Sequence, residues 1–387
     1  MNITKINSLI LVLYIYLSSF SLLIYMFDST LIRYALYGGL IVITLILNNM
    51  NFSKGFLYVL ISIAVLLGIN ILAVDYKNYV IGDSIVFLLT LFIPFYLFSL
   101  RNINYDKITI FWYKASIIFT IFLPSYYFLY VNDNITYLEL GTVTHLNIII
   151  QSMFFFKNIS KQKIIPFFLI IINFTVGLIF GSRMILVASI SVIVVAAIIV
   201  VERNKIKRYF FLGLSLISAI FVLINLEAII RWLIYLLLNR GIRSRNLLLF
   251  YDQIQNGSDN VYYAGREDVY ETAVNYLSTN GYFPSGFSVI RHLTHGAFYH
   301  SHNFFLEIFL VFGFIFGSLF IIIFIFKFIE KIKKTGFNNS LSYILCLLTC
   351  SFIVRSLTGT NFIVDTLFLI SIAIIFSNDR KIVNLNE

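Results

Sequence analysis

Long apolar runs, broken by short polar segments, make up most of this 387-residue chain. A run of about 20 residues, rising 1.5 Å per residue, crosses about 30 Å of hydrocarbon. Twelve runs reach or approach that length: 8–27, 31–47, 56–74, 80–100, 108–131, 143–156, 164–181, 184–201, 209–226, 304–326, 340–354 and 361–376. The pattern predicts an all-α polytopic membrane protein with about twelve transmembrane helices. One long polar interval, 227–303, separates the ninth run from the tenth. Within it, 227–250 mixes Trp232 and a leucine run with four arginines, which fits a helix lying in the interface or a long extension of the ninth span. Residues 266–279 place Val269, Ala273 and Tyr276 at helical spacing, with Glu267 and Asp268 in the first turn, as a soluble amphipathic helix would. Asn280-Gly281 ends that helix and Pro284 prevents its resumption. Four segments follow: helices in 1–163, further helices in 164–226, the polar interval 227–303, and C-terminal helices in 304–387.

Composition supports the membrane reading. The chain is 60% hydrophobic and only 12% charged, with a mean hydropathy of +0.91, more apolar surface than one soluble core can hide. Aromatic residues reach 18% and many sit at run ends, where an interfacial belt places them. Cys346 and Cys350, four apart in one run, read as small apolar residues on one helical face. Lys5 precedes a first run with no small-x-small cleavage site after it, so that run is expected to be a retained helix.

Charge orients the chain. With the N-terminus inside, the inner segments collect lysines such as Lys161, Lys163, Lys205, Lys207, Lys333 and Lys334, as the positive-inside rule asks. The interval 227–303 then lies on the outer face, and the net charge of +10 describes inner loops rather than a nucleic-acid surface. Apart from Lys77, every cation expected outside is an arginine: Arg183, Arg231, Arg240, Arg243, Arg245, Arg266, Arg291 and Arg355. A guanidinium fork suits bidentate capture of phosphate or carboxylate, for which a lysine is a poorer match.

Candidate chemistry gathers around this interval. His292, His295, His300 and His302 invite a metal reading, but nearby carboxylates are few and no known ligand spacing is matched. His302 stands apart because it sits where the outer loop meets the tenth span, followed by Asn303 and, a turn later, Glu307. An imidazole, with an ordinary pKa of about 6.5, can take a proton from a hydroxyl there. The plainer alternative is a satisfied residue at a helix start. Arg183 lies between two spans with hardly any loop, where it needs an anion or a partner, or else merely marks the membrane boundary. Arg266 opens the amphipathic helix against the helix dipole, with Glu267 and Asp268 beside it as compensation. Gly313-x3-Gly317 fits close helix packing.

Three local patterns, taken in order, resemble the O-antigen ligase/polymerase superfamily of bacterial surface-polysaccharide assembly. They are Gly181-Ser182-Arg183 before an apolar helix, Gly265-Arg266 before a helix and GYFPSGFSV, and His302-Asn303-Phe304-Phe305-Leu306-Glu307 before Gly313. The resemblance covers about residues 164–325. It departs from ligase members in the late position of Gly317 and in a less regular proline-glycine segment, which favours a polymerase. It implies a glycosyltransferase-C-like, metal-independent enzyme without cofactor, multi-pass in the bacterial inner membrane, with its active site on the outer (periplasmic) face. The donor would be a glycan on undecaprenyl diphosphate and the acceptor a sugar hydroxyl of another lipid-linked unit. A flippase and a chain-length regulator would be its working partners. On that resemblance His302 is the catalytic residue for the acceptor hydroxyl, supported by Asn303 or Glu307. Arg183 and Arg266, with Arg291 as a lesser third, hold the diphosphate. The expectation requires Arg183 to meet Arg266 and His302. Rival readings are a ligase handing finished polymer to another acceptor, a flippase of lipid-linked oligosaccharide, and a purely structural membrane protein.

Overall fold

A computed structural model of the chain describes residues 2–20, 30–132, 135–157, 164–201, 213, 217, 224–241, 244–255, 266–336, 339–359 and 361–377. Among these residues there are sixteen α-helices and no strand. In order they are α1 (Ile3–Ile15), α2 (Thr30–Leu47), α3 (Lys54–Ala73), α4 (Lys77–Leu100), α5 (Tyr105–Ile121), α6 (Leu123–Val131), α7 (Tyr137–Lys157) and α8 (Ile164–Phe180). The second half holds α9 (Arg183–Val201), α10 (Leu226–Leu238), α11 (Arg245–Gln255), α12 (Glu267–Asn280), α13 (Val289–Leu293), α14 (Phe304–Thr335), α15 (Ser340–Thr358) and α16 (Thr366–Phe376).

Among the described residues four helices are long and apolar enough to cross a membrane: α3, α4, α14 and α15 as far as Leu357. The pair α5 and α6, bent by 49°, counts as a fifth if it forms one span. Pro124 explains the bend, since its ring and missing N–H do not allow the preceding turn to continue. These helices make the chain a membrane protein. Five further helices among the described residues are apolar but shorter. The eleven residues of α16 reach only about 17 Å. Most of the expected ninth run, 209–226, lies outside the described residues.

The chain divides into two compact units. The first comprises Met1–Phe20, Met26–Phe111 and Asp268–Glu387. At its centre α16 packs on α4, α14 and α15, and eight of its eleven side chains are buried. Asp365 caps its start, accepting from the N–H groups of Leu367 (2.9 Å) and Phe368 (3.0 Å). At its end the Lys331 ammonium donates to Ser377 O (2.8 Å) and Ser377 Oγ (2.9 Å). A carboxylate before and a cation after complement the dipole of a helix with little water around it. Lys331 itself is buried on the last turns of α14.

The second unit comprises Ser21–Tyr25 and Trp112–Glu267. Here α7 packs against α6, α8 and α9. It has the length of a span, yet it is buried from Leu140 to Phe154 apart from Thr142 and carries polar groups along that buried length. Asn147 Nδ2 donates to Asn173 Oδ1 (2.9 Å), and Asn173 Nδ2 to Thr120 Oγ1 (2.8 Å) and Gln151 Oε1 (3.2 Å). Gln151 Nε2 reaches Thr120 Oγ1 (3.2 Å) and Ser116 Oγ (3.3 Å). The network ties α5, α7 and α8 together by satisfying polar groups that hydrocarbon would leave unpaired. In the same unit α10 buries Ile230 and Leu237 while exposing Trp232, Tyr235 and Leu238 on another face, the pattern of a helix lying in an interface.

Candidate functional site

The segment from Gly281 to Asn303 and the start of α14 form a densely hydrogen-bonded polar region of the first unit. Asn303 is the N-cap of α14, and its Oδ1 accepts from the N–H groups of Phe305 (3.0 Å) and Leu306 (3.3 Å). Glu307, one turn in, is buried and accepts from Ser301 N–H (2.7 Å). Ser301 Oγ donates to Asn303 O (3.0 Å). Asn303 and Glu307 therefore grip the chain on both sides of His302. That grip holds His302 at φ +57°, a left-handed conformation that costs a residue with a Cβ about 1–2 kcal/mol. Such strain is found where the surroundings over-determine a residue.

The His302 ring is half-buried, 4.2 Å between centroids from His300 and edge-on to Phe298. His300 Nε2 lies 3.0 Å from Gly359 O, so that nitrogen carries the proton and donates to the carbonyl after α15. Near the same junction Arg355, on the last turn of α15, pairs with Asp365 (3.3 Å). His292 stacks on Tyr76 (4.5 Å, 16°). His292, His300 and His302 thus have different surroundings, and no three His, Cys, Asp or Glu side chains among the described residues form a cluster able to hold a metal ion.

Arg291 sits on α13 with its guanidinium over the rings of Tyr79 and Tyr299, 4.5 Å from each centroid. Its counter-ion is Asp83 (3.8 Å), whose other carboxylate oxygen accepts from the Ser288 hydroxyl. Asp83 therefore already offsets part of the Arg291 charge. The Arg291 partners Tyr79, Tyr299 and Asp83, and Ser288 on the far side of Asp83, were missed in the sequence. A lone carboxylate within the apolar run 80–100 was the available signal.

The loop is fastened to α14 by an interruption in that helix. Gly313 takes φ +72° and ψ 168°, which frees the carbonyls of the preceding turn. Ser285 N–H then donates to Leu310 O (3.2 Å) and Gly286 N–H to Val311 O (3.0 Å), while Phe314 N–H donates to Gly281 O (2.7 Å). A Cβ on Gly313 would lie 2.8 Å from Phe283 C and 2.9 Å from Tyr282 O. The expected role of Gly313 and Gly317 in close packing between helices is thus corrected. Gly313 breaks its own helix to receive the loop, and Gly317 lies under Ile308 and Phe309 of the same helix.

Tyr76 adds a second fastening, its hydroxyl donating to Ser285 O (2.8 Å). Burial, and then the neighbouring Tyr276, push the Tyr76 phenol up to about 12, so it keeps this donor proton at neutral pH. Asn70 Oδ1 accepts from Phe287 N–H (3.0 Å).

The two remaining sequence candidates belong to the second unit. Arg266 precedes α12 and is half-buried. Arg183 opens α9 through its backbone, and its side chain lies outside the described residues, as does Gly265. In this unit the sequence also gave no weight to His145, which is fully buried with Nδ1 2.8 Å from Ser189 Oγ.

No family model matches the chain, and no curated protein matches it.

Proposed function

We propose that this membrane protein is a glycosyltransferase that polymerises oligosaccharide repeat units carried on undecaprenyl diphosphate, for an O-antigen or capsule. The observation that carries the reading is His302, held in a strained conformation at the cap of a long apolar helix by Asn303 and Glu307. Ordered residue patterns around Arg183, Arg266 and His302 support it through their likeness to the O-antigen ligase/polymerase superfamily.

In this reading the acceptor hydroxyl oxygen attacks the anomeric carbon of the donor glycan. The hydroxyl proton passes to the His302 imidazole. The bond from the anomeric carbon to the diphosphate oxygen breaks, and undecaprenyl diphosphate departs with the electron pair. Negative charge grows on the diphosphate oxygens, where arginines stabilise the transition state most. Arg183 and Arg266 take that role. Arg291 contributes less, because Asp83 offsets its charge. Asn303 and Glu307 are positioning residues that act through His302. The reaction belongs on the outer face of the bacterial inner membrane.

Gene deletion tests the reading. Single repeat units left on the cell surface support a polymerase, whereas full-length polymer detached from its acceptor points to a ligase. Intact, attached polymer rejects both. Arg183→Lys combined with Arg266→Lys at full activity rejects bidentate diphosphate capture.

A further inference from the structure

The geometry points to a glycan-binding subsite in the groove between the end of α3 and the segment from the end of α12 to Ser285, an inference that rests on the polymerase reading. The groove has a volume of about 460 Å³, within the range of about 300–1,000 Å³ usual for small-molecule sites. Four aromatic rings line it, from Tyr76, Tyr276, Tyr282 and Phe283, together with the polar side chains of Asp75 and Asn280. Aromatic faces cover the C–H faces of pyranose rings, and amide, carboxylate and hydroxyl groups bond the ring hydroxyls. No lysine, arginine or histidine is among its described lining residues. A diphosphate would be bound poorly there, and a neutral or amine-bearing oligosaccharide well.

The lining is also held in place. Tyr76 donates to Ser285 O and is backed by His292, Asn70 holds Phe287 N–H, and the break at Gly313 secures Gly281, Ser285 and Gly286. Gly286 is required in this fastening, since it takes φ +81° and a Cβ there would collide with Asn70. On this rigid frame Tyr282 and Phe283 stand 68% and 78% exposed. Aromatic side chains presented on a fixed backbone bind with little loss of conformational freedom. In a polymerase, such a subsite would hold sugars of a repeat unit while its lipid diphosphate is bound by arginines elsewhere.

The test uses the full-length protein in nanodiscs and, as probe, oligosaccharide released by mild acid from the producing strain's surface polysaccharide. Saturation-transfer NMR should detect binding to the native protein and equally to His302→Ala, with inorganic pyrophosphate failing to compete. Tyr282→Ala with Phe283→Ala should weaken binding at least tenfold, and Asn280→Ala, at an exposed position, severalfold. Undiminished binding in both variants overturns the proposal. A spin label on Tyr282→Cys separates glycan from lipid as the occupant. Broadening by an aqueous nickel chelate supports the subsite, and broadening only by membrane-dissolved oxygen overturns it. The two readings fail separately: polymer unchanged by gene deletion removes the polymerase, while unchanged affinity in the groove variants removes the subsite.

Discussion

The buried helix α7 and the loop that leads into α14 hold polar residues in two contrasting ways. In α7 the side chains of Asn147 and Gln151 bond to Asn173, Thr120 and Ser116, and none of the three amide residues has exposed surface. Side chains satisfy side chains, and the result is a helix fixed against its neighbours. Around the loop the polar side chains of Asn70, Tyr76, Asn303 and Glu307 bond mainly to its backbone and that of the start of α14. They shape a chain path that positions His302 and leaves Tyr282 and Phe283 at the surface. Polarity in an apolar sequence therefore has two uses, and the partner of each group tells them apart. Saturated side-chain networks hold helices together, and side chains spent on backbone build a site.

The contrast is tested most strongly at His302. Replacing it with glycine should lower polymer formation by about 10²–10⁴-fold, the usual contribution of a positioned acid–base group. The melting temperature should not fall, because glycine accepts the left-handed backbone without strain. Retained polymer with a lowered melting temperature would make His302 a structural residue like those of α7. Next in size is Asn173→Leu, which takes the donor from buried Gln151 Oε1 and one partner each from Asn147 and Thr120, at about 1–3 kcal/mol for a buried group left unpaired. Thermal unfolding in detergent should register a drop of about 3 kcal/mol, and specific activity per folded molecule should stay level. Activity lost at unchanged stability would move α7 into the functional class.

Gly313→Ala should cost about 2 kcal/mol from the left-handed backbone alone. The atoms it would meet are backbone and yield little. Faster proteolysis between 281 and 286 is the expected readout, and an unchanged rate would mean that the loop does not depend on the break. The smallest effect belongs to Tyr76→Phe, about 1 kcal/mol for one hydrogen bond. Its pH signature is more useful than its size. A phenol raised to about 12 in the folded protein favours the folded state fully below its ordinary value of 10.0, and this contribution disappears as pH rises towards about 12. Loop proteolysis should accelerate across that window in the native protein, and the variant should lack that acceleration.

Much of the organisation could be read from residue order. Runs of apolar residues locate α3, α4, α14 and α15, because in lipid a chain must satisfy its backbone within helices. Val269 and Ala273 mark the buried stripe of α12, and Asn303 marks the start of α14, because both signals are local. Length in sequence misled at α16, where an apolar stretch became a short helix inside the first unit's core. Gly313 misled as well, since a glycine that permits packing and a glycine that breaks a helix look alike until the neighbouring loop is known.

Periodicity, capping residues and hydropathy act over one or two turns, so the helices, their ends and the isolation of His302 at a helix start were already present in the order of residues. Tertiary structure alone decided that Asp83 would face Arg291, that Glu307 would hold Ser301, and that Asn173 would join Thr120 to Gln151. Those pairings join residues from different helices and loops, or turn a side chain back on its own loop. They depend on which faces meet once the apolar surfaces have packed, a choice made by shape and by the demand that every buried polar group find a partner.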